Sequence, residues 1–143
     1  MTLEAYSAFP SILCDRPAPG VLRLTLNRPE SLNALGADAH RELADIWRVV
    51  DRDRETLAVL LCAKGKAFSA GGDFEVVEKL TQSFEERANM WREARDLVYN
   101  IINCSKPIVS AIQGAAVGAG LAAALVSDIP IAAKNAKLVD GHV

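Results

Sequence analysis

The chain has 143 residues, one domain's worth, and can bury roughly 68–70% of its unfolded surface in a core. Lys and Arg number 16 against 18 Asp and Glu, a net charge of −2 that removes the basic stripe nucleic-acid binding needs. Half the residues are hydrophobic and 24% are charged, the balance of a globular protein and not of a disordered one.

Val21-Leu22-Arg23-Leu24-Thr25-Leu26 alternates as a half-buried strand does, and Asn27-Arg28-Pro29 ends it. From about Asp38 to Val50, Leu43, Ile46, Trp47 and Val50 stand at helical spacing. His40, beside Arg41 and Glu42, reads as a solvated residue of that helix. The run Asp51-Arg52-Asp53-Arg54-Glu55 reads as a solvated turn, and Leu57–Cys62 as a strand apolar on both faces, as in a covered sheet. After the glycine-rich stretch from Lys64 to Asp73 comes a long helix. Ser83 and Glu86 have capping-box spacing, and Phe84, Ala88, Trp91, Ala94, Val98 and Ile101/Ile102 recur every three or four residues. Lys106-Pro107 closes it. A strand Ile108–Ile112, a loop Gly114–Gly120, a short helix Leu121–Val126 and a strand Asp128–Ala132 follow. Pro130 lacks an N–H, which suits an edge strand. Lys137-Leu138-Val139 begins a further extended piece. Strand and helix alternate throughout, the pattern of a single α/β domain.

Residues 107–127 carry no charge and are long enough to cross a bilayer, with Gly114 and Gly118 in the small-residue pairing spacing. Their β-branched start, central glycines and alanine-rich remainder fit a buried strand, a loop and a short helix better, so no membrane span is expected. Three widely spaced cysteines (Cys14, Cys62, Cys104) imply neither a disulfide framework nor a zinc site, and no other metal motif is present. The first residues lack the basic start and apolar run of a signal peptide, so a cytoplasmic location is expected. The chain stops on an unfinished extended segment, with nothing following to cover residues 107–127. A piece of a longer protein, or one that associates with its own copies, is the expectation.

Two glycine-rich loops carry the chemistry. Lys66-Ala67-Phe68-Ser69-Ala70-Gly71-Gly72-Asp73 and Gln113-Gly114-Ala115-Ala116-Val117-Gly118-Ala119-Gly120 each follow a buried strand and precede a helix. A small-residue turn into a helix exposes free N–H groups at the positive end of the helix dipole, where an anion or a developing oxyanion can be held. Neither loop is a P-loop: Gly65-Lys66-Ala67 lacks the hydroxyl, and Leu60 stands where the earlier glycine belongs. Gly118-Ala119-Gly120-Leu121-Ala122-Ala123 ends in Ala and misses the dinucleotide fingerprint.

These residues resemble the enoyl-CoA hydratase/isomerase (crotonase) family. Val21–Pro29 with Ser31-Leu32-Asn33-Ala34-Leu35 looks like its first strand and CoA-contacting loop. Ala67–Asp73 looks like its first oxyanion-hole motif, Lys106–Gly120 like its second, and Ser127–Ala133 like the strand after it. The resemblance implies an α/β fold, a crotonase-like spiral of ββα units. Residues 1–143 would form its core without the C-terminal helices that build trimers and hexamers. It implies an acyl-CoA substrate, with no cofactor beyond that coenzyme A. The N–H groups of Gly72 and Ala119 would hold the thioester oxygen. Ala34, Ala70, Gly72, Asp73 and Phe74 would be substrate-binding positions, Ala34 and Ala70 toward the adenine end.

The departures bear on the reaction. Hydratases of the family use two glutamates on water, and the matching positions here are Ala122 and His142. His142 is a candidate base, since imidazole titrates near neutral pH. The resemblance therefore implies an enoyl-CoA hydratase or isomerase. A His-dependent C–C hydrolase or lyase, or a member without chemistry, are the alternatives.

Overall fold

The computed structural model describes residues 2–141. After a 3-10 turn (Leu3–Tyr6), strands β1 (Ile12–Ala18) and β2 (Val21–Leu26) form an antiparallel hairpin. Pro19 and Gly20 make its turn, with Gly20 at a positive φ of 76°. A second 3-10 turn (Pro29–Ser31) leads to helix α1 (Ala37–Arg52) and strand β3 (Ala58–Ala63). Helices α2 (Phe74–Gln82) and α3 (Phe84–Ile102) precede β4 (Ile108–Ile112) and β5 (Ala115–Val117). Helix α4 (Gly118–Leu125), β6 (Ile129–Ala132) and β7 (Lys137–Val139) complete the order.

Five strands form one sheet in the order β1-β2-β3-β4-β6, parallel from β2 onward. A second, smaller sheet pairs β5 with β7, and single parallel bridges extend it from Ala116 to Ser69 and from Gly72 to Leu35. Each turn of the chain thus gives a long strand to the first sheet, a short extended piece to the second, then a helix. This is the spiral of ββα units that the resemblance implies.

Alternation in β2 and β3 sends Leu22, Leu24, Leu26, Val59 and Leu61 into one hydrophobic core with Leu43, Ile46, Trp47 and Val50 of α1. Pro130 lies in β6, at the sheet's edge, where a missing donor costs no ladder bond. The uncharged run 107–127 folds as β4, β5 and α4, and among the described residues no helix is long and apolar enough to cross a membrane.

Several expectations change. His40 is buried, not solvated, with Nδ1 3.2 Å from Glu93 Oε2 of α3. Of the charged run, Asp51 and Arg52 end α1, Arg54 and Glu55 form a solvated turn, and Asp53 between them is fully buried. Its Oδ2 accepts from Tyr6 OH (2.8 Å), Arg16 Nη2 (2.6 Å) and Thr56 Oγ1 (2.9 Å). Opposite charge and hydroxyls brought from β1 and the N-terminal turn make that burial tolerable. Leu57 stands outside β3 and is exposed, while Leu60 and Cys62 are only half-buried, so the second face of β3 is not closed among the described residues. The long helix, preceded by the shorter α2, starts at Ser83 as expected, its Oγ accepting from Glu86 N as the capping spacing predicts. Of its apolar stripe, only Ile101 is buried, with Leu97 beside it; Phe84, Trp91 and Ile102 face solvent. Finally, the second loop is shorter than expected, because Ala115–Val117 is a strand and α4 starts at Gly118.

Candidate active site

The two glycine-rich loops lie side by side at the small sheet. Phe68 N and Ser69 N both donate to Ala115 O (2.8 and 3.0 Å), and Val117 N donates to Ser69 O (3.0 Å). Beyond them, Gly71 touches the second loop: a Cβ there would stand 3.3 Å from Val117 Cγ1, and one on Gly118 3.8 Å from Gly71 Cα. Both glycines have positive φ, 86° and 53°, which a side chain would strain. A Cβ on Gly114 would collide with the Lys66 carbonyl oxygen. Glycine is required there because two backbones meet.

The direction of the Gly72 N–H follows from its peptide plane. Gly71 O accepts from Leu35 N at 2.7 Å, and among the described residues no peptide bond is cis. A planar trans peptide points its N–H opposite to its C=O, so the Gly72 N–H faces away from Leu35. It has no acceptor among the described residues. Ala119 lies in the first turn of α4, with Val117 as N-cap, so its N–H has no intrahelical acceptor. Both donors sit at the junction of loop and helix, where backbone dipoles favour negative charge.

The other expected positions gather round the first loop. Ala70 N donates to Leu32 O (2.9 Å) and Asp73 N to Leu35 O (3.2 Å), which lays the Leu32–Leu35 segment, with Ala34, against Ala70–Asp73. The Asp73 carboxylate caps α2, accepting from Glu75 N at 3.2 Å. Phe74, the first residue of α2, is 92% exposed. A polar cleft of about 370 Å³ opens beside Asp73, lined by Arg28, Gly36, Asp38, Glu75 and Lys79 among others. Ala122 lies in α4, half-buried, two residues beyond Gly120. His142 lies outside the described residues. No cluster of three His, Cys, Asp or Glu side chains occurs among those described.

Three polar residues that the sequence did not single out hold the loops. Asn33, buried and at positive φ, donates through Nδ2 to Lys64 O and Ala67 O, and its Oδ1 accepts from Arg28 N. Gln113 Nε2 reaches Ala63 O, Gly65 O and Ala67 O. Ser69 Oγ donates to Asn33 O (2.9 Å) and accepts from Gly71 N (3.2 Å). An Asn after a short turn is a signal for a left-handed residue, but the two carbonyls its Nδ2 reaches lie more than thirty residues away.

Comparison with known proteins bears on the family and the fold. The family model Enoyl-CoA hydratase/isomerase matches residues 17–141. The 1,2-epoxyphenylacetyl-CoA isomerase of Escherichia coli (strain K12) is 38% identical over 122 residues, 84% of this chain and 47% of that protein. The (E)-benzylidenesuccinyl-CoA hydratase of Thauera aromatica is 37% identical over 118 residues, 82% of this chain and 45% of that protein. Among solved structures, an enoyl-CoA hydratase/isomerase from Mycobacterium paratuberculosis superposes with a TM-score of 0.86 at 38% identity, covering 92% of this chain and 53% of that one. An enoyl-CoA hydratase from Shewanella pealeana ATCC 700345 gives 0.88 at 28% identity, over 96% and 52%. The chain spans about half the length of the curated relatives it matches. With its ββα spiral and paired loops, it belongs to the enoyl-CoA hydratase/isomerase family and has the crotonase fold.

Proposed function

We propose that the protein binds an acyl-CoA thioester and stabilises its enolate between the N–H groups of Gly72 and Ala119, in a hydratase or isomerase reaction. The observation that carries this reading is the contact of Gly71 with Val117 and Gly118, which sets on adjoining loops two donors without acceptors among the described residues, one just before the N-cap of α2 and one in the first turn of α4. When a nucleophile adds at the β-carbon of an enoyl thioester, or a base removes an α-proton, the electron pair moves to the thioester oxygen. Fixed N–H dipoles stabilise that charge without reorganising. Small residues at Ala70, Gly71, Gly72, Gly118 and Ala119 leave room for the thioester, and Ala34, Asp73 and Phe74 flank it as further contacts. Arg28 and Lys79, in the cleft beside Asp73, are the cations within reach of a coenzyme A phosphate.

Ala122 supplies no carboxylate where the family's hydratases carry their first glutamate, so a proton must be handled by another group. His142 is the candidate base in this reading. No cofactor beyond the substrate's own coenzyme A is needed. Two relatives named for aryl-bearing acyl-CoA compounds make phenylacetyl-CoA a reasonable ligand to try beside crotonyl-CoA. The reading carries with it a cytoplasmic location and, where the family's C-terminal helices are present, a homotrimer or hexamer, which sedimentation would test. The direct experiment is Gly72→Pro, which deletes the N–H. The change should lower turnover of crotonyl-CoA by about 10²–10³-fold, the usual effect of losing one such donor. Unchanged turnover would remove Gly72 from the site.

A further inference from the structure

Gly71 and Gly72 form the most flexible dipeptide in the first loop, yet the orientation of the peptide between them decides where the Gly72 N–H points. Two bonds hold Gly71. Its carbonyl accepts from Leu35 N (2.7 Å), and its N–H donates to Ser69 Oγ (3.2 Å). Ser69 itself is fully buried, and every polar atom it has is committed. Its Oγ donates to Asn33 O (2.9 Å), its N donates to Ala115 O (3.0 Å), and its O accepts from Val117 N (3.0 Å). On its remaining side it presses on the first turn of α4, where a Cβ on Gly120 would collide with Ser69 Cβ and Oγ.

We propose that Ser69 is a positioning residue that fixes the separation and orientation of the Gly72 and Ala119 N–H groups. This rests on the oxyanion reading above. One side chain ties the loop after β2 (through Asn33), its own loop (through Gly71) and the start of α4 (through Gly120). Ser69 is not read as a nucleophile: its hydroxyl is buried, already donates to a carbonyl, and among the described residues has no His, Asp or Glu side chain bonded to it. Without Oγ, the Gly71 N–H loses its acceptor, the Ala70–Gly71 peptide is released, and the diglycine peptide is held by Leu35 N alone. Misplacing a charge-stabilising donor slows the chemical step, while the remote contacts that bind coenzyme A are unaffected.

The test compares wild type, Ser69→Ala and Ser69→Cys in the purified full chain, with acetoacetyl-CoA and crotonyl-CoA as probes. A β-ketoacyl thioester bound in a working oxyanion site ionises to its enolate, which has its own ultraviolet band. That band reports donor geometry and is blind to overall stability. Ser69→Ala should bind acetoacetyl-CoA as wild type does but show a weaker enolate band. It should also lower kcat for crotonyl-CoA by about tenfold at unchanged KM, a smaller effect than outright loss of a donor. Ser69→Cys, with a weak donor and acceptor in place of the hydroxyl, should fall between the two. An enolate band and kcat equal to wild type in Ser69→Ala would overturn the proposal, whatever the change in melting temperature. Should Ser69→Ala not fold, Ser69→Cys decides by the same two readouts. Wild-type protein that binds acetoacetyl-CoA without any enolate band would overturn the oxyanion reading and, with it, the role of Ser69.

Discussion

Helices α1 and α3 are the two longest of the chain and both carry apolar residues at helical spacing, yet only α1 uses its whole stripe. Leu43, Ile46, Trp47 and Val50 of α1 are completely buried. Helix α3 buries Leu97 and Ile101, which pack toward α1, and leaves Phe84, Trp91 and Ile102 in water. At 100° per residue those three sit together, roughly a third of a turn from the buried pair. Periodicity therefore reports that an apolar face exists, and the neighbours decide whether it is core. For α1 the neighbours are β2 and β3, whose buried residues interleave with it in one cluster.

The contrast is broken most severely at Trp47. It is fully buried, and its Nε1 finds no partner among the described residues. Trp47→Ala should cost about 3–5 kcal/mol, measured by chemical denaturation. Trp47→Phe should cost clearly less, because it leaves a smaller void and also removes an unpaired buried donor. Equal losses for the two would show that the indole nitrogen is bonded after all.

Next in size is Asp53, just beyond the end of α1. Burial works to raise its pKa, but hydrogen bonds from Tyr6, Arg16, Thr56 and the Glu55 N–H prevail and hold it well below the usual carboxylate range. The Tyr6 hydroxyl moves the other way, pushed up by burial and by its bond to Asp53. The folded carboxylate takes a proton less readily than the unfolded one. Its contribution is therefore complete above about pH 4 and drains as pH falls toward the folded value. Asp53→Asn should cost about 3 kcal/mol at pH 7 and flatten the acid limb of the stability profile. A variant as acid-sensitive as wild type would place that limb on other carboxylates.

A third change tests the packing between the loops. Gly120→Ala puts a methyl group onto Ser69 and should cost about 1–3 kcal/mol by overpacking. Ser69→Ala should recover little of it, because the collision involves Cβ as well as Oγ. A double-mutant cycle measures the coupling.

Much of this was legible before folding. The alternation of Leu22, Leu24 and Leu26, the stripe of α1 and the Ser83 cap depend on residues within a few positions of one another. So do the two small-residue loops, since glycine marks a close approach locally. His40 and Asp53 escape the sequence because residue type alone says that polar side chains are solvated, while their partners arrive from Glu93 and from Tyr6 and Arg16. Asn33, Ser69 and Gln113 were invisible as a group for the same reason: each acts on a carbonyl or N–H supplied by another turn of the spiral.

The smallest expected effect lies on the outer face of α3. Trp91 is 74% exposed, so replacing it by Ser removes little buried area and should change stability by no more than about 0.5 kcal/mol. The chain's two tryptophans make the comparison optical. Iodide, a charged quencher that stays in water, should quench the emission of Trp91 and leave that of Trp47 almost untouched. In Trp91→Ser, the remaining emission should be that of the buried indole and largely insensitive to iodide. If wild-type emission instead resists iodide, and that protection fades on dilution, the outer stripe of α3 is covered by another molecule. The same substitution would then cost stability at high protein concentration and almost none at low, because the loss would belong to association and not to the folded chain.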